Sequence, residues 1–279
     1  MLQSQTTLRM DDGIELRVRQ YRPTAAPAGR TLLIVHGLCV HSGRYEHVAR
    51  AAVERGWNVI VPDLRGHGHS GGVPVFVDRY ARYLDDLDEL CRQLALAPSS
   101  LAMLGHSHGG LMLIRYLQTR PQAAAALVLC SPLLGLSLPI PALTLTWGRL
   151  LALVWPTARM RNRVDSEDLS HDTGYLAERK TDSLIHRIIT VGWFVEAEQA
   201  MQVANATAGS LTVPLLVLQG ADDRVVDPLA AQRWTEAAAS PDKTFSLLPD
   251  HLHELLHETD RDSTLADIFD WLETRVPRR

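Results

Sequence analysis

The chain has 279 residues, of which 46% are hydrophobic and 22% charged, and its formal net charge is −4 at pH 7. This composition is typical of a globular protein with a sizeable core, and it argues against the basic surface that nucleic-acid binding requires. Three widely spaced cysteines, Cys39, Cys91 and Cys130, favour reduced thiols in the core over a zinc site. Because the N-terminus also lacks the pattern of a secretory signal, we expect a cytoplasmic protein.

The first residues indicate the edge of a β-sheet. Residues 7–10 and 14–21 alternate apolar and polar side chains around a turn, which predicts a β-hairpin. The continuous apolar runs that follow are typical of parallel strands covered on both faces, and they are residues 32–35, 59–61, 101–104, 127–129 and 215–218. Helical patterns separate several of them, at residues 45–55, 77–96 and 111–120. A strand pattern at 244–248 and a helical pattern at 264–274 complete an α/β fold, with a mostly parallel central sheet flanked by helices.

One section interrupts this alternation of strands and helices. We expect residues 132–210 to form an inserted helical cap between two parts of the core, residues 1–131 and 211–279. The cap begins with an apolar stretch that could contact a lipid aggregate or line an acyl pocket, or simply pack on the core. Its apolar residues are Leu136, Leu138, Ile140, Leu143, Leu145, Trp147, Leu150, Leu151, Leu153 and Trp155. Prolines in this uncharged region argue against a membrane-spanning helix, and we select Leu143 and Trp147 as candidate acyl-chain contacts.

A serine lies where the third apolar run meets the third helical pattern. Ser107 is the centre of Gly105-His106-Ser107-His108-Gly109, the Gly-x-Ser-x-Gly pattern of a nucleophile elbow. Small residues two positions before and after the serine allow the sharp turn from strand to helix. Ser107 is therefore the candidate nucleophile, although a glycine-rich connection with an idle serine would have the same pattern.

A serine nucleophile needs a base, an acid that orients the base, and donors for the oxyanion. Carboxylates follow the strand pattern at 215–218, at the edge where open α/β sheets bind ligands. We select Asp223 as the acid, with Asp222 as its rival, and we expect Asp227 to cap the helix that starts at Pro228. His253, after the strand at 244–248, is the candidate base. The order Ser, Asp, His is that of α/β hydrolases.

The end of the first parallel strand offers the remaining part of this machinery. Leu38 follows His36-Gly37, and we expect the backbone amides of Leu38 and His108 to form the oxyanion hole, with His36 supporting the loop. Alternating histidines such as His67 and His69 could share a metal ion, but no cysteine or carboxylate completes a ligand set. We therefore expect neither a metal nor a cofactor.

These motifs together resemble the α/β-hydrolase superfamily, and within it the monoacylglycerol lipase and lysophospholipase branch, also called serine aminopeptidase-like. The segments that carry the resemblance are His36-Gly37, residues 41–45, residues 62–70, Gly105 to Gly110, Gly220-x-x-Asp223-x-x-Val226 and His253-Glu254-Leu255-Leu256. The resemblance implies a cofactor-free serine esterase, cytosolic or peripheral to a membrane, that cleaves a single-chain acyl ester under a helical cap.

Two departures from the family bear on the substrate. Family members commonly have methionine where this chain has His108, so an imidazole could make the pocket floor more polar. Animal monoacylglycerol lipases have a glutamate at the position of Val40, and it grips glycerol together with an arginine that corresponds to Arg44. Val40 and Arg44 are thus candidate substrate-binding positions. The loss of the glutamate leaves lysophospholipids and simple alkyl esters open as substrates.

The sequence therefore predicts a carboxylic-ester hydrolase that forms an acyl-serine intermediate on a small acyl-ester substrate. An acyltransferase or a peptidase with the same triad is the enzymatic alternative. A non-catalytic ligand receptor on the same fold is the other alternative, because fold and function separate readily. Transient contact with a membrane through the cap would fit a lipid substrate.

Overall fold

The computed structural model describes residues 1–24, 29–137, 142–162 and 164–278, so that Leu138 and Ile140 of the predicted apolar stretch lie outside the described residues. The strands in these ranges are β1 (Leu2–Arg9), β2 (Glu15–Arg22), β3 (Thr31–Val35), β4 (Asn58–Pro62), β5 (Leu101–His106), β6 (Ala126–Cys130), β7 (Arg159–Arg161), β8 (Ile188–Thr190), β9 (Leu215–Gly220) and β10 (Lys243–Leu248). The α-helices are α1 (Glu46–Glu54), α2 (Ala81–Gln93), α3 (His108–Thr119), α4 (Ala142–Val154), α5 (Thr173–Thr181), α6 (Val191–Ala206), α7 (Pro228–Ala237) and α8 (Arg261–Arg275).

Eight strands form one sheet in the order β1-β2-β4-β3-β5-β6-β9-β10. Strand β2 is antiparallel to both β1 and β4, and the remaining neighbours are parallel. The predicted mostly parallel sheet with a hairpin at its edge is thus confirmed. Strand β1 starts at Leu2 rather than at residue 7, because its first residues pair with β2 through the backbone although their side chains are exposed.

Helices cover both faces of the sheet and produce two separate layers of core. On β3, Leu32 and Ile34 pack on the side of α1 and α8, whereas Leu33 and Val35 pack on the side of α2, α3, α6 and α7. Alternate residues of a strand point to opposite faces, so a strand buried on both faces is a nearly continuous apolar run. This is why the central strands could be recognised from continuous apolar runs.

Between β6 and β9 the described chain forms α4, β7, α5, β8 and α6. Strands β7 and β8 pair antiparallel in a small separate sheet that the sequence did not predict, because three-residue strands carry too little periodicity. Helix α6 packs against α3 of the core and against α4. Among the described residues, every helix is too short or too polar to cross a bilayer.

Candidate active site

Ser107 occupies the turn between β5 and α3 with φ 52° and ψ −116°. A serine rarely adopts positive φ, so hydrogen bonds on both sides must hold it there. Its N–H donates to the Cys130 carbonyl at 3.0 Å, and its carbonyl accepts from the amides of Leu111 and Leu133 at 3.1 and 3.0 Å. The backbone therefore fixes the hydroxyl at the C-terminal edge of the sheet.

The glycines around Ser107 allow backbone segments to approach closely. A Cβ atom added at Gly105 would lie 2.7 Å from the Gly109 carbonyl oxygen, and one added at Gly109 would lie 2.2 Å from the Val35 carbonyl oxygen. Both contacts are too short for any side chain, as the nucleophile-elbow pattern predicts. These glycines bring α3 against the loop that follows β3.

We expect Gly109→Ala to destabilise the fold by about 3 kcal/mol or more, because the added methyl group meets backbone that cannot rotate away. Gly148→Ala is the matched control, since a Cβ at Gly148 in α4 meets nothing within 4 Å. That change should raise the free energy of unfolding by about 1 kcal/mol through helix propensity. Urea denaturation followed by circular dichroism measures both values, and equal stability of the two variants would contradict the packing argument.

His253 and Asp223 meet at the same edge of the sheet. His253 Nδ1 lies 2.8 Å from Asp223 Oδ2, which also accepts from Gln219 Nε2 at 2.9 Å. The other oxygen, Oδ1, accepts from the amides of Val225 and Val226 at 2.8 and 3.0 Å. Every polar edge of this carboxylate is therefore used, and its orientation is fixed.

The structure separates the three aspartates of this turn. Asp222 is exposed, whereas Asp223 is buried against His253. Asp227 caps α7, because its Oδ1 accepts from the Leu229 amide at 2.9 Å. Only Asp223 thus has the position of an acid that orients a histidine.

The pair of Asp223 and His253 shifts the pKa of each partner. Burial raises the pKa of Asp223, but the charge and hydrogen bond of His253 outweigh burial, and the pKa lies below its ordinary value. Burial lowers the pKa of His253, but the charge of Asp223 prevails, and this pKa lies above its ordinary value of 6.5. The pair is therefore arranged to stabilise an imidazolium that forms during a reaction.

We expect kcat/KM to fall as the pH drops through a midpoint above 6.5, because only the neutral imidazole of His253 can accept a proton. Burial lowers the pKa of His106 and His36 to about 4, so neither titrates in this range. Rates with p-nitrophenyl butyrate from pH 5 to 9 measure the midpoint. A midpoint below 6 would show that Asp223 does not raise the pKa of the base.

His106 connects the nucleophile turn to the base, and sequence reasoning missed this role. His106 Nε2 lies 3.2 Å from the His253 carbonyl oxygen, so this nitrogen carries the proton and donates. His106 Nδ1 then accepts from the Tyr45 hydroxyl at 3.1 Å, and this hydroxyl accepts from the Gly37 amide at 3.3 Å. A polar residue at the end of an otherwise apolar strand was the signal for such a network.

A buried carboxylate also lies beside the base. Glu254 is 4% exposed, and its Oε2 lies 3.0 Å from His257 Nδ1 and 3.8 Å from His106 Nδ1. Burial raises the pKa of Glu254, but the neighbouring histidines hold it well below its ordinary value. The resulting negative charge contributes to the raised pKa of His253.

The loop after β3 passes directly beside Ser107. A Cβ added at Gly37 would lie 3.5 Å from the Ser107 Cβ, and Leu38 follows at the same cavity. His36 supports this loop, because its Nε2 accepts from the Leu64 amide at 3.0 Å. His108 is the first residue of α3, so its N–H has no acceptor within the helix. These positions fit two amides that face an oxyanion.

Ser107, His253 and Leu38 line a cavity of about 170 Å³. Most of its wall is apolar and comes from Leu133, Leu136, Ile189, Trp193, Phe194, Ala197, Met201 and Val225. Asn162, Arg179 and Glu254 provide polar atoms elsewhere on the wall. An apolar cavity with a few polar groups is typical of a small-molecule site.

The structure does not place Leu143 and Trp147 at this cavity, contrary to the sequence-based assignment. Both lie on α4, and their side chains are 70% and 64% exposed. The residues of α4 that are half-buried are Leu145, Gly148 and Ala152. The sequence of α4 could not reveal this orientation, because apolar residues lie on all sides of the helix.

Val40 and Arg44 also lie outside the cavity wall. Val40 is buried in the core layer beside α1, and Arg44 Nη1 lies 3.2 Å from Glu178 Oε2 of α5. The side chain of His108 is likewise absent from the wall, because it packs edge-on against Tyr80, Tyr83 and Trp193. Burial lowers the pKa of His108 to about 3, so this imidazole is neutral and does not form the pocket floor.

The fold and the site together are those of an α/β hydrolase with a serine at the strand-to-helix turn. Residues 26–260 match the sequence profile of the family described as serine aminopeptidase, S33. The chain belongs to this family. Among the described residues, no group of three or more histidine, cysteine or acidic side chains could hold a metal ion.

Individual proteins of known name or structure agree with this assignment. Human monoglyceride lipase is 32% identical over 274 residues, which cover 95% of this chain and 89% of that protein. An uncharacterised abhydrolase domain-containing protein from Dictyostelium discoideum is 30% identical over 282 residues, and this chain spans 30% of its length. The crystal structure of Paleococcus ferrophilus monoacylglycerol lipase is 26% identical with a TM-score of 0.86, covering 93% of this chain and 99% of that one. The predicted fold and family resemblance are thus confirmed.

Proposed function

We propose that this protein is a serine carboxylic-ester hydrolase that cleaves single-chain acyl esters. One observation carries the proposal: Ser107 and His253 line the same largely apolar cavity, and His253 is hydrogen-bonded to Asp223. The similarity to proteins named monoacylglycerol or monoglyceride lipase supports the same class of substrate.

In the proposed reaction, Ser107 Oγ attacks the ester carbonyl while His253 Nε2 accepts the hydroxyl proton. Asp223 keeps the proton of His253 on Nδ1, so that Nε2 is free to act as a base. The amides of Leu38 and His108 stabilise the oxyanion, and His253 then protonates the departing alcohol. Water, activated by the same histidine, cleaves the acyl-serine and restores the enzyme.

The apolar wall supports an acyl chain as the part of the substrate held near Ser107. Each methylene removed from water contributes about 0.8 kcal/mol, so a chain that fills the wall is favoured over acetate. Trp193, Phe194, Ala197 and Met201 of this wall all lie on α6. Chain-length preference is therefore assigned to α6 rather than to α4.

A panel of substrates tests the proposal. The purified protein is assayed with monoacylglycerols, lysophospholipids, triacylglycerols, graded p-nitrophenyl esters and aminoacyl peptides, and a fluorophosphonate probe reports on Ser107. We expect labelling of Ser107 and hydrolysis of single-chain esters. Cleavage of peptides without cleavage of esters would favour a peptidase. Transfer of the acyl group to an added alcohol in preference to water would favour an acyltransferase. A serine that is not labelled would favour a ligand receptor.

We also propose that α4 contacts a lipid surface while the enzyme acts. Its exposed apolar residues include Trp147, Leu153 and Val154, the last two both 81% exposed, and the exposed Trp155 follows directly after the helix. The charged residue of α4, Arg149, is paired with Glu198 of α6. An exposed apolar helix with tryptophans at its surface is typical of proteins that bind at the membrane interface.

Replacing both Leu153 and Val154 by serine should weaken binding to phospholipid vesicles by about tenfold or more, because each apolar side chain loses its transfer free energy. Leu229→Ser combined with Leu247→Ser is the matched control, since these exposed residues lie on α7 and β10. Vesicle sedimentation measures the bound fraction. Equal loss in both double variants would exclude α4 as the specific contact.

A further inference from the structure

Three residues of the catalytic cavity, Asn162, Val164 and Arg179, also line a second cavity of about 140 Å³. The two cavities therefore meet at these residues. The remaining wall of the second cavity, which we call the arginine pocket, consists of Arg161, Asp165, Ser166, Ile185, His186 and Arg187.

The arginine pocket has an excess of positive charge. Three guanidinium groups, of Arg161, Arg179 and Arg187, face one carboxylate, of Asp165, which leaves a formal charge of +2. Burial lowers the pKa of His186, so this histidine is neutral. Two other carboxylates of the cap pair elsewhere, because Asp182 binds His41 and Glu178 binds Arg44.

Arg179 stands between the cavities with unused hydrogen-bonding capacity. Its Nη1 atom is buried and has no hydrogen-bond partner among the described residues. The charge of Arg179 lowers the pKa of the buried Glu254 without a direct ion pair between them. Glu254 Oε2 instead contacts His257 Nδ1 at 3.0 Å. A buried donor without a protein acceptor is unfavourable, and an anionic ligand would supply the acceptor that Arg179 Nη1 lacks.

The other two arginines of the pocket, Arg161 and Arg187, differ in whether their guanidinium groups already have hydrogen-bond partners. Arg187 Nη2 donates to the Lys180 carbonyl at 2.8 Å, which anchors its side chain. Arg161 is exposed, and none of the carboxylates that the structure describes lies within ion-pair distance of it. The pocket thus combines the exposed guanidinium of Arg161 with that of the half-buried Arg179, whose Nη1 atom is buried, beside the catalytic cavity.

We infer that the arginine pocket binds an anionic, phosphate-bearing head group of the single-chain ester whose acyl bond Ser107 cleaves. The inference rests on the proposed function and specifies its substrate class. Guanidinium groups bind phosphate through charge-assisted, often bidentate hydrogen bonds, whereas a neutral glycerol head group would leave the excess charge uncompensated. Among esters that share the same acyl chain, Arg161 and Arg179 then determine which head group the enzyme prefers.

The first test compares two oleoyl esters, lysophosphatidylglycerol and monooleoylglycerol, at equal mole fraction in neutral detergent micelles. We expect the ratio of their kcat/KM values to favour the anionic ester and to fall about tenfold in Arg161→Gln or Arg179→Gln, because charge-assisted contacts are lost. Arg159→Gln is the matched control, because Arg159 lies on the same strand but lines neither cavity. That variant should keep the ratio within about twofold.

A second measurement does not depend on turnover. Titration calorimetry of sn-glycerol 3-phosphate into Ser107→Ala protein should detect binding that Arg161→Gln weakens, and glycerol should not bind detectably. If the wild type hydrolyses both esters without preferring the anionic one, or if Arg161→Gln leaves the ratio unchanged, the inference fails and the proposed function stands. If glycerol phosphate binds but no ester is cleaved, the proposed function fails and the pocket remains assigned.

Discussion

Ser107→Ala is expected to lower kcat for p-nitrophenyl butyrate on the order of 10⁶-fold, to a residual rate that binding and oxyanion donors alone sustain. The side chain of Ser107 supplies the attacking oxygen, and the backbone of the turn does not depend on it, because its hydrogen bonds are made by N–H and carbonyl groups. The fold should therefore survive while the chemistry is lost. Stopped assays with the purified variant measure the rate.

Ser131→Ala provides the control for this experiment. Ser131 is also a buried serine with positive φ after a central strand, and its Oγ has no hydrogen-bond partner among the described residues. Its hydroxyl does not line the cavity, so activity should stay within about twofold of the wild type. Retained turnover in Ser107→Ala, or equal loss in the two variants, would remove Ser107 from the role of nucleophile.

Asp223→Asn is expected to lower kcat/KM by about 10⁴-fold through the tautomer of His253. The two backbone amides that donate to Oδ1 cannot turn away, so the new amide nitrogen must take the place of Oδ2. There it donates a hydrogen bond to His253 Nδ1, so the imidazole proton must lie on Nε2. A protonated Nε2 cannot accept the proton of Ser107. Gln219 can adapt to the change, because its Oε1 has no partner among the described residues and can rotate toward the new donor.

Asp222→Asn is the matched control, since it makes the same chemical change one residue away on an exposed side chain. Its kcat/KM should remain within about twofold of the wild type. The acid limb of the Asp223→Asn pH profile should also move to lower pH, because the charge that raises the pKa of His253 is gone. A larger loss in Asp222→Asn would transfer the role of the acid to that residue.

The sequence predicted the central sheet closely because burial on both faces leaves long apolar runs, with polar residues such as His106 and Gln219 only toward the ends of the strands. The runs at 32–35 and 215–218 lie within β3 and β9. Helix α3 begins at His108, three residues before the predicted pattern, because Gly109 and Gly110 disfavour helix locally but are the residues that fit against β3 and Pro132. Tertiary contact overrides local propensity at that turn.

The segment between β6 and β9 was less predictable for a different reason. The orientation of α4 depends on what packs against it, and its apolar residues are spread around the helix, so the sequence did not show which side is buried. Leu143 and Trp147 therefore looked like pocket residues, whereas α6 supplies four residues of the cavity wall. The arginine pocket is formed by the end of β7 and the turn after it, by Arg179 of α5, and by the turn before β8, and these short segments left no periodic signal.

The hydrogen bond from His106 Nε2 to the His253 carbonyl joins the end of β5 to the loop that carries the base, 147 residues further along the chain. The nucleophile turn and the base loop therefore cannot be exchanged as independent modules. In a chimera with a related hydrolase, a transplanted base loop would keep its histidine but could lose the hydrogen bond from His106, whose ring is held by Tyr45. Recombination points for engineering this enzyme should keep residues 37–45, 105–110 and 251–257 from a single parent.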